Sequence, residues 1–191
     1  DKIYYFVDAS SKSNANGYND IQKDYIVEYD TAKDTHKYVF VDIHNVKVTI
    51  ASATTASNAF LYIPDLGSAT INKTGVRIGM SVTGTLGDNT YTAEDGVTVK
   101  DIIYDTGNSR WKIQMVKHSG YDLTSENAVF TPPSGVDAGD VVHFVSNRVL
   151  NFNKDVVITG INILDEFIYW TDNEHEPKKV NIARSIAGTG G

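Results

Sequence analysis

With 191 residues, a formal net charge of −7 and no cysteine, the chain excludes several functions at once. Disulfides and thiolate metal sites are ruled out. An acidic balance opposes tight binding to a nucleic-acid backbone, which wants a basic face. No run of about 18 apolar residues occurs, so no membrane-spanning helix is expected, and the length suffices for one large β-domain or two small ones.

Eleven tyrosines, together with many Val, Ile and Thr, favour strands. Lys2 to Val7 (KIYYFV) reads as a strand with aromatics on both faces, covered on both sides. Asp8 to Asp20 is a polar loop rich in Asn and Ser. A strand at Asp24 to Asp30, a turn at Thr31 to Asp34 and a strand at His36 to Asp42 follow.

From about Thr49 to about Ser146 the composition shifts. Ala, Ser and Thr crowd Ala51 to Ala59, as in a crossing linker. Strands are expected at Ala59–Ile63, Val76–Thr83, Val97–Tyr104, Arg110–Val116, Ala128–Thr131 and Asp140–Val145. Asp105 to Asn108 makes a hairpin turn, and Thr131 to Gly135 breaks the pattern before the last strand. Leu123 to Ala128 offers one helical turn. Short strands at this spacing predict a small barrel or sandwich.

Val149 to Lys154 then leads back to a different pattern, with a new strand starting at Val156 to Ile158. Ile158–Leu164 reads as a strand, Asp165-Glu166 as a tight reversal and Phe167–Asp172 as a second strand. Asn173 to Pro177 is a polar turn before a third strand at Lys179–Ser185. Three short antiparallel strands joined by tight turns make most of a four-stranded propeller blade.

The two ends of the chain correspond. KIYYFV takes the place of EFIYWT, and DYIVEYD the place of KKVNIARS. The first stretch therefore supplies strands two to four of one blade, and the last supplies strands one to three of the next. Blades repeat every ~40–50 residues, so about a hundred residues too many lie between them, as an inserted domain would give. The fold expected is all-β: a partial β-propeller of antiparallel, YWTD-like blades over residues 1–48 and 147–191, interrupted by a small inserted β-barrel or sandwich domain over 49–146. Such a strip cannot close a ring, so the sequence reads as a fragment of a longer chain.

Tyr169, Trp170, Thr171 and Asp172 resemble the YWTD blade signature. IYYFV, DYIVEYD, VLNFN, ITGINILDEFIYWTD and NEHEPKKVNIARS together resemble tail structural proteins of crAss-like short-tailed bacteriophages, in particular their muzzle or nozzle proteins. The inner stretches GVRIGMSVTGTLG and VTVKDIIYDTGNSRWKIQMV resemble small β-modules of phage tails. The resemblance implies a virion component assembled in the bacterial host cytoplasm, with no cofactor. Its implied partners are copies of itself, other tail proteins and the host cell surface, with DNA passing through without specific binding. The competing resemblance is to YWTD propellers of animal receptors, which would imply an extracellular module recognising a glycan or a protein.

Nothing in the sequence assembles a catalytic, cofactor-binding or metal site, and the chain reads as no enzyme. His36, His44, His118, His143 and His175 show no metal-ligand spacing. Glu174-His175-Glu176 lies in a polar turn and reads as solvated. Gly79, Gly84 and Gly87 precede no helix, so they form no phosphate loop and read as turns and bulges. Asp165-Glu166 and Glu94-Asp95 are sequence neighbours in turns, not converging acids. Tyr4, Tyr5, Phe6, Tyr169 and Trp170 are expected to build a core, and Asp172 to fix its turn. Trp111 and Tyr121 are the candidate stacking platform for a sugar, with inner-face packing as their alternative role. Lys178, Lys179 and Arg184 form a basic edge suited to an acidic neighbouring subunit.

Overall fold

The structure, a computed structural model, describes residues 1–9, 19–52, 60–65, 74–87, 89–92, 95–117, 128–130 and 136–188. Outside these lie most of the Asp8–Asp20 loop and of the Ala51–Ala59 linker, the helical turn at 123–127 and the break at 131–135. His118, Tyr121 and Glu94 also lie outside them.

Among the described residues, thirteen strands precede one short helix. In chain order they are β1 (Lys2–Ala9), β2 (Asn19–Asp30), β3 (Thr35–Thr49), β4 (Phe60–Pro64), β5 (Ser81–Leu86), β6 (Asn89–Tyr91) and β7 (Val97–Asp105). There follow β8 (Arg110–Lys117), β9 (Ala128–Phe130), β10 (Val141–Val145), β11 (Gly160–Leu164), β12 (Phe167–Thr171), β13 (Lys178–Asn181) and α1 (Ile182–Gly188). The ladders are antiparallel and the fold is all-β. One sheet runs β1-β2-β3-β10-β5-β7-β8-β4, with β6 on β5 and β9 on β8; the other is β11-β12-β13. The larger sheet does not close on itself.

The chain divides into two compact units. One comprises residues 1–10, 23–42 and 148–191, the other 11–22 and 43–147. The division falls inside β2 and β3 and again between residues 147 and 148; neither Gly nor Pro interrupts the alternation from His36 to Thr49. The strand expected to stop at Asp42 therefore runs on for seven more residues.

In the first unit β1 and the nearer parts of β2 and β3 share one core with the β11-β12-β13 sheet. Ile26, Val39, Leu150, Phe152, Ile168 and Trp170 form its centre. Phe6 stands edge-on to both Phe152 and Trp170, with ring centroids 5.5 Å apart in each case, the geometry that aromatic quadrupoles prefer. β1 is covered on one face only: Tyr4 and Phe6 pack inward, whereas Ile3 and Tyr5 are nearly half exposed. The expectation of cover on both sides is corrected accordingly.

The stretch 148–159 enters this core without forming a strand; the strand expected from Ile158 begins at Gly160. Two buried carboxylates hold it. Asp24, fully buried, accepts hydrogen bonds from the Arg148 guanidinium at 2.7 and 3.1 Å and from the Phe152 amide at 3.0 Å. Asp42 accepts from the Val149 and Leu150 amides at 2.6 and 2.9 Å. The Leu150 and Phe152 amides would otherwise be unsatisfied buried donors.

The last expected strand, Lys179–Ser185, is corrected: β13 ends at Asn181 and a helix follows. The Asn181 side-chain oxygen accepts from the Arg184 amide at 2.8 Å, which is an N-cap, and Ile182 and Ile186 then pack on one side.

The second unit has its own core. It is built from the inward residues of the continuing part of β3 (Val46, Val48), β10 (Val142, Phe144) and β8 (Ile113, Met115), with others from β4, β5 and β7. The Ala51 amide, just beyond β3, donates to the Tyr62 carbonyl of β4 at 2.8 Å. The strand expected at Val76 begins only at Ser81, because Gly75 and Gly79 take φ of +81° and +87° and turn the chain.

Asp24→Ala would leave Arg148 and the Phe152 amide without their acceptor. It is expected to cost about 3–5 kcal/mol in denaturant unfolding; a cost below about 1 kcal/mol would mean that the contact is dispensable. Gly84 has φ of +110°, and a Cβ there would meet the Val141 carbonyl oxygen at 3.1 Å. Gly84→Ala is accordingly expected to destabilise by about 1–3 kcal/mol in the same measurement.

Candidate functional site

The first unit carries the residues of the blade-like signature. The period-two alternation of β12 turns Trp170 into the core and Tyr169 to the other face. The Thr171 carbonyl accepts from the Thr159 amide at 2.8 Å and so ties β12 to the chain entering β11. Asp172 closes the corner. One of its oxygens accepts from the Glu174 and His175 amides at 3.0 and 2.8 Å, and the other pairs with His175 Nδ1 at 2.9 Å. The His175 amide and ring are the main causes that hold the Asp172 carboxyl down to about 2, with the Glu174 amide adding to them.

Two clefts open in this unit. The first, of about 270 Å³, has Phe6, Phe152 and Ile158 on its apolar side and Asp8, Asn153 and Asp172 on its polar side. The second, of about 500 Å³, sets Ile163 and Ile186 against Lys2, Tyr4, Glu28 and Lys37. In the second, Glu28 accepts from the Tyr4 hydroxyl at 2.7 Å and pairs with Lys2 at 2.9 Å. Burial alone would raise the Glu28 carboxyl. The Lys2 and Tyr4 donors and the charges of Lys2 and Lys37 outweigh it and hold the group below its ordinary value. Burial, and then the bond to Glu28, push the Tyr4 hydroxyl up. Both groups move away from neutral pH, so neither is poised for proton exchange there.

The expected stacking pair is not an open platform. Trp111 keeps only 6% of its surface exposed; its ring packs in the second unit's core, edge-on to Tyr104 at 5.0 Å. Tyr121 lies outside the described residues. Exposed rings lie instead on the outward face of β1, β2 and β3, where Tyr25 and Tyr38 meet at 5.5 Å and Tyr5 stands on the neighbouring strand. Strand alternation was the signal that could have found them.

Glu174, His175 and Glu176 form a polar turn in which His175 is spent on Asp172 and lies 3.3 Å from the Asn151 amide. Among the described residues no group of three His, Cys, Asp or Glu could hold a metal ion. No described helix is long and apolar enough to cross a membrane. The basic edge is partly engaged: the Lys178 ammonium donates to the Leu150 carbonyl, and Lys179 stands 5.6 Å from the Phe167 ring centre. Asp8, Asn151 and Asn153 escape a reading of the sequence, because about 140 positions separate Asp8 from the two asparagines and only folding joins them.

Comparison with known proteins finds no match among family models, curated proteins or solved structures.

The depressed Asp172 value fixes the sign of a pH effect. A carboxyl lowered from 3.8 to about 2 contributes stability that is fully present above the higher value and lost as pH falls through the lower one. Hydrogen exchange at the Glu174 and His175 amides is expected to lose protection over that window, and Asp172→Ala to lose it at every pH. Unchanged protection in the variant would remove Asp172 from its role in the corner.

Proposed function

We propose that this chain is a non-enzymatic structural component of a bacteriophage tail, of the muzzle or nozzle type, contributing to tail assembly and to the channel through which the genome leaves. The observation that carries this reading is the shared core of the first unit. Two three-stranded antiparallel arrangements, from opposite ends of the sequence, bury Phe6, Phe152 and Trp170 against one another. Adjacent propeller blades pack in this way. The stretches that carry the resemblance to crAss-like phage tail proteins are the ones that build this core, with the YWTD-like run at its centre.

Further support comes from the order of the chain. The strand pair β1–β2 is the counterpart of β12–β13, and β11 stands where strand one of the second blade belongs. The second unit, with its own core, fits the inserted barrel. The Ala51–Tyr62 bond brings the ends of its six-strand path within one hydrogen bond of each other.

In this reading further blades complete the ring, and the partners are copies of the chain and neighbouring tail proteins. The inserted unit is turned to adjacent tail parts or to the host surface. The net charge of −7 keeps a DNA-conducting lumen from gripping phosphates, so the genome slides. Assembly takes place in the bacterial cytoplasm and the finished protein resides in the virion.

The test is fractionation of intact phage particles carrying this sequence, followed by peptide mass spectrometry. Peptides covering 23–42 and 158–179 are expected to co-sediment with particles and to resist a high-salt wash. Their recovery only in the free soluble fraction would reject a virion role.

A further inference from the structure

We infer that β11 is the contact edge of a symmetric dimer, in which two copies of this chain join their small sheets by pairing β11 antiparallel with itself about a two-fold axis at Asn162. This goes beyond the structural role proposed above and does not depend on it, because it rests on the edge of one sheet.

β11 pairs with β12 on one side and with no described strand on the other. Alternate residues of such an edge turn their N–H and C=O groups outward, where another strand can take them. Every residue of Gly160–Leu164 is exposed, and Ile161, Ile163 and Leu164 keep 53, 46 and 58% of their surface open. The strands at the other ends of the two sheet paths are guarded. β1 carries Lys2 and Asp8, and β13 carries Lys178 and Lys179. β4 is largely buried, ends on Pro64 and receives the Ala51 amide on its Tyr62 carbonyl. β11 has no charge, no proline and no bulge, in a chain that is 21% charged. An apolar edge without those devices is a pairing site.

The register with β12 shows what a partner must supply. Ile161 stands opposite Trp170 and Ile163 opposite Ile168, so both isoleucines lie on the face that carries the core. The core runs out at this edge with its last two side chains half open. Covering them takes apolar side chains two residues apart on an added strand. Asn162 lies on the other face, opposite Tyr169, and there the added strand must meet an amide.

A second copy meets each requirement. With the axis at Asn162, Ile161 faces Ile163 of the second copy and Ile163 faces its Ile161, so the isoleucines continue both cores. On the opposite face Asn162 meets its own counterpart. An amide both donates and accepts, so it complements itself, as a charged group would not. Leu164 falls opposite Gly160, where no side chain obstructs it. Such an isologous contact closes at two chains. A strand this short buries far less than a standard interface, so the dimer is weak and depends on concentration.

The test is sedimentation velocity of the chain from about 10 μM to about 1 mM, the range in which a contact of this size associates. The unsubstituted chain is expected to pass from monomer to dimer. Asn162→Asp and Asn162→Lys each set like charges face to face and should weaken association by about tenfold or more. Mixed together, the two variants should associate again, because opposite charges then meet across the axis. Asn162 is exposed and belongs to neither core, and unchanged amide resonances in β1, β2 and β3 confirm that the variants fold. The inference is overturned if the unsubstituted chain stays monomeric at about 1 mM, if either variant dimerises as readily as it does, or if the mixture stays monomeric. Growth beyond a dimer would overturn it too and would mark a head-to-tail contact through another face.

Discussion

A single buried carboxylate, Asp24, decides whether the two ends of this chain form one body. It receives Arg148 and the amide of Phe152, partners 124 and 128 positions away, and it is wholly shielded from water. A charge in that position must be paired or it opposes folding by several kcal/mol. Once Arg148 is fixed, Asp42 can take the amides of Val149 and Leu150, and the side chains of Leu150 and Phe152 enter the core. A stretch with no ladder of its own is thereby given a defined path into the sheet that follows.

The same clamp explains how a large excursion is tolerated. Between Asp42 and Arg148 the chain builds a second unit with a separate core, so its length adds little to the entropy of closing the loop. β2 and β3 are continuous strands whose residues are shared between the two units.

Most polar groups of the first unit are already spent on its architecture. Asp172 is saturated by its own turn, Glu28 by Lys2 and Tyr4, and Asp24 and Asp42 by the returning stretch. Saturated groups of this kind hold geometry. Asp8 departs from this pattern: its Oδ1 is sealed from solvent without a hydrogen-bond partner, with the Arg148 guanidinium 3.8 Å away.

The sequence by itself determined the strands and the way their faces point. Trp170 faces inward as expected, whereas Tyr169, expected in the core with it, lies on the other face of β12. Turn chemistry at Thr31–Asp34, Asp105–Asn108 and Asp165-Glu166 set the hairpins, with Asp34, Asp165 and Ser109, the residue after the second turn, taking the left-handed conformations such tight turns demand. These are local properties, governed by backbone sterics and by neighbours two residues away. Only the tertiary structure decided the rest. It buried Trp111, carried β3 past its expected end at Asp42, converted Ile182–Gly188 into a helix capped by Asn181, and brought Asp8 beside Asn153. Each of those outcomes depends on which distant residue fills a space or satisfies a charge, and no periodicity along the chain records that choice.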